Sequence, residues 1–88
     1  MQIFIGETGL GMSWQRAFGP TTPCSHCKKG EARIMFVAHE GCGQEEGPYV
    51  SNLRSNGGEG DYWPHDAIAV AVYLCAECGK AVAIWNQA

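Results

Sequence analysis

Apolar side chains alternate between large and small along residues 67–74, which read AIAVAVYL. Isoleucine, valine and leucine fall on one face of an extended chain, whereas alanine and tyrosine fall on the other. Alanine also favours helices, but the strict period of two and the β-branched residues favour a strand. Residues 80–85 (KAVAIW) repeat this alternation. The two alanine faces predict that another layer of the protein approaches this sheet closely.

A further strand is predicted over residues 31–38, whose sequence is EARIMFVA. Strict alternation places Ile34 and Phe36 on one face, and Met35 and Val37 on a half-solvated opposite face. Residues 49–54 (YVSNLR) give a weaker strand prediction. Glycine, asparagine and other turn residues dominate the segments on either side of residues 49–54, which are therefore predicted to be loops.

The first 20 residues contain four glycines that interrupt any long element. The opening MQIFI predicts a short strand, and residues 13–18 (SWQRAF) predict one helical turn with Trp14 and Phe18 on one face. We expect this leader to lie over the sheet and not to form a domain of its own. The whole chain, residues 1–88, is then a single domain.

Composition and charge narrow the class of protein. With 88 residues, the chain suffices for one small domain, and domains of this size commonly need a disulfide or a metal ion for stability. Nine acidic residues against six basic ones give a formal charge of −3, which disfavours nucleic acid as a partner. No secretory signal is visible, and the longest apolar run, residues 67–76, is too short to span a bilayer. We expect a soluble, cytoplasmic protein that does not bind membranes.

Two Cys-x-x-Cys motifs carry the clearest chemistry in the chain. Cys24 and Cys27 form the first, and Cys75 and Cys78 form the second, with 47 residues between Cys27 and Cys75. A gap of two residues lets both thiolates of a pair point at one ion, and the turn that follows can aim backbone N–H groups at the sulfurs. Each motif is followed by lysine and glycine and then by a predicted strand. Two such turns together can supply four thiolates to one tetrahedral Zn²⁺.

Other interpretations of these cysteines remain open at this point. The chain has five cysteines, an odd number that a secreted disulfide framework does not normally use. A redox dithiol of the thioredoxin type needs a βαβ context, whereas the second motif here lies in the turn of a predicted β-hairpin. The pattern therefore favours a metal site over two separate dithiols or unrelated buried cysteines.

The chain resembles the zinc ribbons in the segments PCSHCKKG (23–30) and LCAECGKAVAIW (74–85) and in the strands that follow them. The resemblance covers residues 21–86 and implies two knuckles, the tight turns that carry the cysteines, over a small antiparallel β-sheet. It also implies one structural zinc ion, bound by Cys24, Cys27, Cys75 and Cys78. Two departures are Lys28, where glycine is common, and the long insert between the knuckles. The arrangement is similar to the zinc-ribbon leader of some larger bacterial proteins of unknown function.

Iron is the alternative metal, because rubredoxins use two similar knuckles to hold iron for electron transfer and spacing does not separate the two metals. Outside the four cysteines, Cys42 could join His39 and His65 in a second metal site, or could be an isolated loop cysteine. His26 could replace a cysteine as ligand, although its neighbours already fill the spacing. A zinc ion with four cysteine ligands has no open position for water, so we do not expect an enzyme.

Zinc ribbons serve in several processes, and the fold alone does not choose among them. We expect a module that docks to a protein or to a neighbouring domain, because the charge is acidic and several aromatic residues could be exposed, namely Trp14, Tyr62, Trp63 and Trp85. Nucleic-acid binding is the alternative. Lys28, Lys29 and Arg33 would then contact phosphates, and aromatic residues would stack on bases.

Overall fold

A computed structural model of the protein describes residues 1–41, 45, 47–53 and 66–88. Within these residues the regular structure includes five β-strands and two short 3-10 helices. The strands are β1 (Gln2–Ile5), β2 (Thr21–Pro23), β3 (Glu31–His39), β4 (Ile68–Cys75) and β5 (Ala81–Gln87). The 3-10 helices are Gly6–Gly9 and Val50–Asn52. The predicted small, mainly-β fold with an antiparallel sheet is confirmed, as are the strands predicted over residues 31–38, 67–74 and 80–85.

All five strands belong to one antiparallel sheet with the order β1-β3-β4-β5. Strand β2 also pairs with β3, alongside the opposite end of that strand from β1. The sheet therefore contains two hairpins, β2–β3 and β4–β5, and the central β3–β4 pairing brings them side by side. This topology places the two hairpin turns at the same end of the sheet, because β3 begins opposite the end of β4.

One face of the sheet, here called the covered face, carries the hydrophobic core. Ala69, Ala71 and Tyr73 of β4 are completely or almost completely buried there. The layer over them comes from the segment after β1, whose packed side chains are Leu10, Met12, Trp14 and Phe18. Small alanine side chains allow this close approach, as the alternation in residues 67–74 predicts. The Tyr73 hydroxyl donates a hydrogen bond to the Gly19 carbonyl oxygen, 2.8 Å away, which ties the layer to β4.

Strand β3 departs from the predicted alternation. Its register against β4 shifts between Ile34 and Phe36, so the strand contains a β-bulge around Met35. An extra residue reverses the alternation, and Val37 is therefore completely buried, whereas the sequence pattern places it on a half-solvated face. Phe36 moves to the opposite, open face. The prediction that side chains alternate without interruption along the whole of β3 is wrong for this reason.

Two local predictions are also wrong. Residues 13–18 form no helical turn and contain bends only at residues 14–16. The segment is held instead by Asn86, whose Oδ1 accepts the Trp14 backbone N–H at 3.1 Å. Within residues 49–54, the Val50–Asn52 3-10 helix replaces the predicted strand. The Asn52 side chain accepts the Tyr49 backbone N–H at 2.9 Å, and such local bonds compete with strand pairing.

A buried carboxylate fixes the position of this 3-10 helix. Glu40 is 1% exposed, and its two oxygens accept the backbone N–H groups of Val50 and Ile68 at 2.6 and 2.9 Å. Glu40 thereby joins residues 47–53 to the start of β4. None of the helices in these described ranges has the length and apolar character needed to cross a bilayer.

Candidate metal centre

The two Cys-x-x-Cys motifs are the turns of the two hairpins. In the first knuckle, the N–H of Cys24 donates to the Gly30 carbonyl at 3.0 Å and closes the β2–β3 turn. In the second, the N–H of Cys75 donates to the Lys80 carbonyl at 3.0 Å and closes the β4–β5 turn. The prediction that the second motif lies in a hairpin turn is confirmed. Each knuckle is thus anchored to paired strands and not to a loose loop.

The four sulfurs converge between the knuckles. The Sγ atoms of Cys24, Cys27, Cys75 and Cys78 all lie within 4.8 Å of one another. Two separations join one knuckle to the other: Cys24 to Cys78 at 3.7 Å and Cys27 to Cys75 at 3.8 Å. A tetrahedron with Zn–S bonds of about 2.3 Å has edges of about 3.8 Å. The sulfurs therefore fit one tetrahedral ion, and the structure brings together all four predicted ligands in a zinc-ribbon-like site.

Backbone N–H groups of the first knuckle point at its own sulfurs. The N–H groups of Cys27 and, less strongly, His26 lower the pKa of the Cys24 thiol to about 6, against the effect of burial. The N–H groups of Lys29 and Gly30 likewise lower the pKa of the Cys27 thiol. Hydrogen bonds of this kind stabilise thiolates, which are the form that binds metal. The first knuckle is therefore arranged to carry negative charge.

The second knuckle offers its sulfurs less support. The Lys80 N–H acts to lower the pKa of the Cys78 thiol, but burial and the three neighbouring cysteines outweigh it and raise the pKa to about 11. Four thiolates this close repel one another, so a cation among them would favour the deprotonated form. The chemistry of this donor set, four soft thiolates with a tetrahedral outline, suits zinc or iron.

Close contact between the knuckles depends on Gly30. A Cβ atom at this position would lie 2.8 Å from the Cys75 sulfur and 2.6 Å from Cγ of Glu77. Any larger residue would push the second knuckle away from the first. Sequence reasoning missed this role, because nothing in the local sequence shows that residue 30 faces residue 75.

The other histidine and cysteine predictions have different outcomes. His26 is exposed and lies outside the sulfur cluster; its Nε2 lies 2.9 Å from the carbonyl oxygen of Ala81 and donates to it. His39 is buried, with its ring stacked on Trp14 at a centroid distance of 4.7 Å. Cys42 and His65 lie outside the described residues, so the second metal site stays a prediction.

Comparison of the chain with protein-family models, with curated proteins and with solved structures gives no match. The description of the site as a candidate metal centre therefore rests on the spacing of the cysteines and on the geometry of their sulfurs.

Proposed function

We propose that this protein is a docking module whose sheet is held together by one structural zinc ion at the four-cysteine site. The assignment of zinc rests on the two sulfur–sulfur distances that join the knuckles, 3.7 and 3.8 Å. Both match the edge of a zinc–thiolate tetrahedron. Each separation joins the two hairpins. An ion bound there would lock β2–β3 to β4–β5 at the turn end of the sheet.

A structural role suits this site better than a catalytic one. Four thiolates complete the tetrahedral shell of zinc and leave no position for water or substrate. Cys24 and Cys75 are 2% and 0% exposed, so substrate access to the ion would be poor. We therefore assign no enzyme activity. Metal-binding thiols must also stay reduced, and we place the protein in the cytoplasm for that reason.

The docking surface is the open face of the sheet, opposite the covered face. Strand register puts apolar residues beside one another in two rows across β1, β3, β4 and β5. The rows are Ile5, Phe36, Val72 and Ala83, and Ile3, Ala38, Val70 and Trp85. Ile5 is 70% exposed, and Ile3 is 54% exposed. Contiguous apolar surface of this kind marks interaction sites in soluble proteins, and we assign it to the apolar surface of a protein partner.

Metal identity is tested first. Protein purified without added metal should carry one zinc per chain by native mass spectrometry and elemental analysis. Chelation should remove the zinc and the β-sheet circular dichroism together, because binding of a structural zinc supplies folding free energy. A chain with two disulfides and no metal would contradict the proposal. One iron per chain, with a red colour, would favour electron transfer instead.

Docking is tested with a variant of the open face. Ile5 is 70% exposed and lies in the first of these rows, so Ile5→Ser should leave the core intact. We expect recovery of partners from an extract of the source cells to fall at least about tenfold, because a buried isoleucine contributes about 2 kcal/mol. Leu53→Ser is the matched control, since Leu53 is 74% exposed and lies outside the sheet. Equal recovery of partner proteins by the two variants, with zinc retained in both, would contradict the docking proposal.

The nucleic-acid alternative has less support. Lys28, Lys29 and Arg33 are exposed, but Trp14 is half-buried and stacked on His39, which removes one of the proposed stacking surfaces. Salt-dependent binding of single-stranded DNA or RNA that is lost in Lys28→Glu/Lys29→Glu would revive this alternative.

A further inference from the structure

Strand β5 is an edge of the sheet in the described part of the chain, and it lacks the features that usually protect such edges. Residues Ala81–Gln87 include no charged residue and no proline. The strand pairs with β4 in an unbroken register, so no bulge twists the edge away. Natural proteins block exposed edges with charge, proline or bulges, because unpaired N–H and C=O groups attract another strand. An unblocked edge therefore indicates a pairing site.

Two hydrogen bonds show which backbone groups of β5 point outward. Cys75 donates to Lys80 at one end of the β4–β5 hairpin, and Ala88 donates to Ala67 at the other end. Hydrogen-bonded pairs alternate along an antiparallel ladder, so the even-numbered residues of β5 bond to β4. The odd-numbered residues present their N–H and C=O groups to the outside.

The two ends of this outer edge are capped by side chains from elsewhere in the chain. His26 Nε2 donates to the Ala81 carbonyl at 2.9 Å, and Gln15 Nε2 donates to the Gln87 carbonyl at 3.1 Å. Between the caps, no described residue bonds to the outward groups of Ala83 and Trp85. The available window is thus short and is centred on Ile84, which lies three residues from each capped carbonyl.

We propose that a second copy of this chain pairs with β5 through this window, antiparallel and about a two-fold axis at Ile84. Ala83 then exchanges both backbone hydrogen bonds with the partner's Trp85, and Trp85 does the same with the partner's Ala83. The two pairs contribute four main-chain bonds and join the two sheets into one. The open faces of the two copies become continuous across the new pairing.

Self-complementarity favours a second copy over a foreign strand. A two-fold pairing needs a window that is symmetric about one residue, and the caps at Ala81 and Gln87 are equally distant from Ile84. It also needs side chains that fit across the axis, and the small Ala83 meets the large Trp85 in both halves. The strand is uncharged, so no like charges meet. This inference goes beyond docking of a partner on the open face and does not depend on it.

The test is the mass of the zinc-loaded protein in solution, measured by light scattering and sedimentation over a dilution series. We expect a dimer of twice the 9.5 kDa chain mass that dissociates on dilution. Ala83→Pro should weaken the dimer at least about tenfold, because it removes one donor from each copy. The Ala83 N–H points away from β4, so proline should spare the hairpin. Leu74→Ser, on the open face but away from the edge, should dimerise like the wild type.

Ala83→Glu is a second variant that should weaken the dimer, because it places charge on the edge without altering the backbone. Zinc content and circular dichroism confirm that each variant is folded, and if Ala83→Pro loses zinc, Ala83→Glu decides. A monomer at every concentration would overturn the proposal, whether or not β5 then accepts an extended peptide. A dimer that survives both Ala83 variants and is lost in Leu74→Ser would overturn it as well, because the contact would then be face to face.

Discussion

The two knuckles present the same pair of thiols through different turns. The first closes between Cys24 and Gly30, and the second closes between Cys75 and Lys80, which makes the first turn one residue longer. In both turns the residue after the second cysteine has a positive φ, 59° at Lys28 and 72° at Gly79. That residue also donates its N–H to the first cysteine's carbonyl in both turns. The two turns therefore follow the same backbone path up to the residue after the second cysteine, although their sequences beyond that residue differ.

The extra residue changes the electrostatics of the first knuckle. Cys27 receives the N–H groups of two residues, Lys29 and Gly30, whereas Cys78 receives that of Lys80 alone. The longer turn therefore stabilises its thiolates with its own backbone N–H groups. The thiolates of the shorter turn need a bound ion to stabilise their charge. Equal Cys-x-x-Cys spacing therefore does not imply equal ligands.

Loss of a buried cysteine ligand should change the protein most. Cys24→Ser and Cys75→Ser each remove the first cysteine of a knuckle, and the two residues are similarly buried. Both variants should lose zinc and β-sheet circular dichroism, since structural zinc supplies roughly 10–16 kcal/mol of apparent binding free energy. Cys42→Ser is the control for removing a thiol and should keep its zinc. If one of the two knuckle variants retains zinc and fold, the knuckles are not equal partners in one site.

The next effect comes from the contact between the knuckles. Gly30→Ala should destabilise the zinc-loaded protein by about 1–3 kcal/mol, the usual cost of overpacking, because the new methyl group meets the Cys75 sulfur. Chemical denaturation measures the change. Gly11→Ala is the matched control, since a Cβ there meets no atom within 4 Å. Equal stability of the two variants would show that the knuckles do not touch at Gly30.

The thiols of the two knuckles should differ in reactivity in the metal-free chain when a stabilising osmolyte keeps it folded. Cys27 and Cys78 are both half-buried, but the pKa of Cys27 is lowered, whereas that of Cys78 is raised to about 11. Because the thiolate is the nucleophile, iodoacetamide at pH 7 should modify Cys27 at least about tenfold faster than Cys78. Peptide mass spectrometry measures both rates. Equal rates in protein that keeps its β-sheet signal would contradict the assigned difference.

The same pKa values predict how the stability of the osmolyte-held, metal-free fold responds to pH. The pKa of Cys24 falls to about 6 in the folded chain, below the ordinary thiol value near 9. Its thiolate therefore contributes its full stabilisation above about pH 9, and this contribution is lost as the pH falls through 6. Cys78 acts in the opposite direction: its contribution is present below about pH 9 and is lost as the pH rises through 11.

Much of the fold and of the candidate site could be predicted from the sequence, because the signals are local. The alternation in residues 67–74 predicts β4 and its closely packed alanine face, and the two-residue spacing of the cysteines predicts the knuckles. Strand periodicity is a property of neighbouring residues, and a Cys-x-x-Cys turn needs little beyond its own backbone.

The features that sequence reasoning missed depend on residues far apart in the chain. The bulge at Met35 arises from the register of β3 against β4, so the burial of Val37 is not visible in the alternation. Gly30 matters because Cys75 packs on it, and the cap on the Ala81 carbonyl comes from His26, 55 positions earlier. Such contacts follow from the assembled sheet, and no local pattern encodes them.

Exchanging lysine and glycine at positions 28 and 79 should change stability only slightly, and it tests whether the two turns share one backbone path. Lys28 has a left-handed conformation that glycine adopts without strain, so Lys28→Gly should stabilise the zinc-loaded protein by up to about 1 kcal/mol. The reciprocal change, Gly79→Lys, should cost a similar amount, since Gly79 has the corresponding conformation. Lys29→Gly controls for loss of a lysine and for added chain flexibility, and it should not stabilise, because Lys29 lacks a positive φ. If Lys28→Gly destabilises the protein as much as Lys29→Gly does, the ease with which glycine adopts a left-handed conformation does not stabilise the turn at residue 28. The likeness between the knuckles would then end at the cysteines, and the long first turn would have to be treated as a structure of its own.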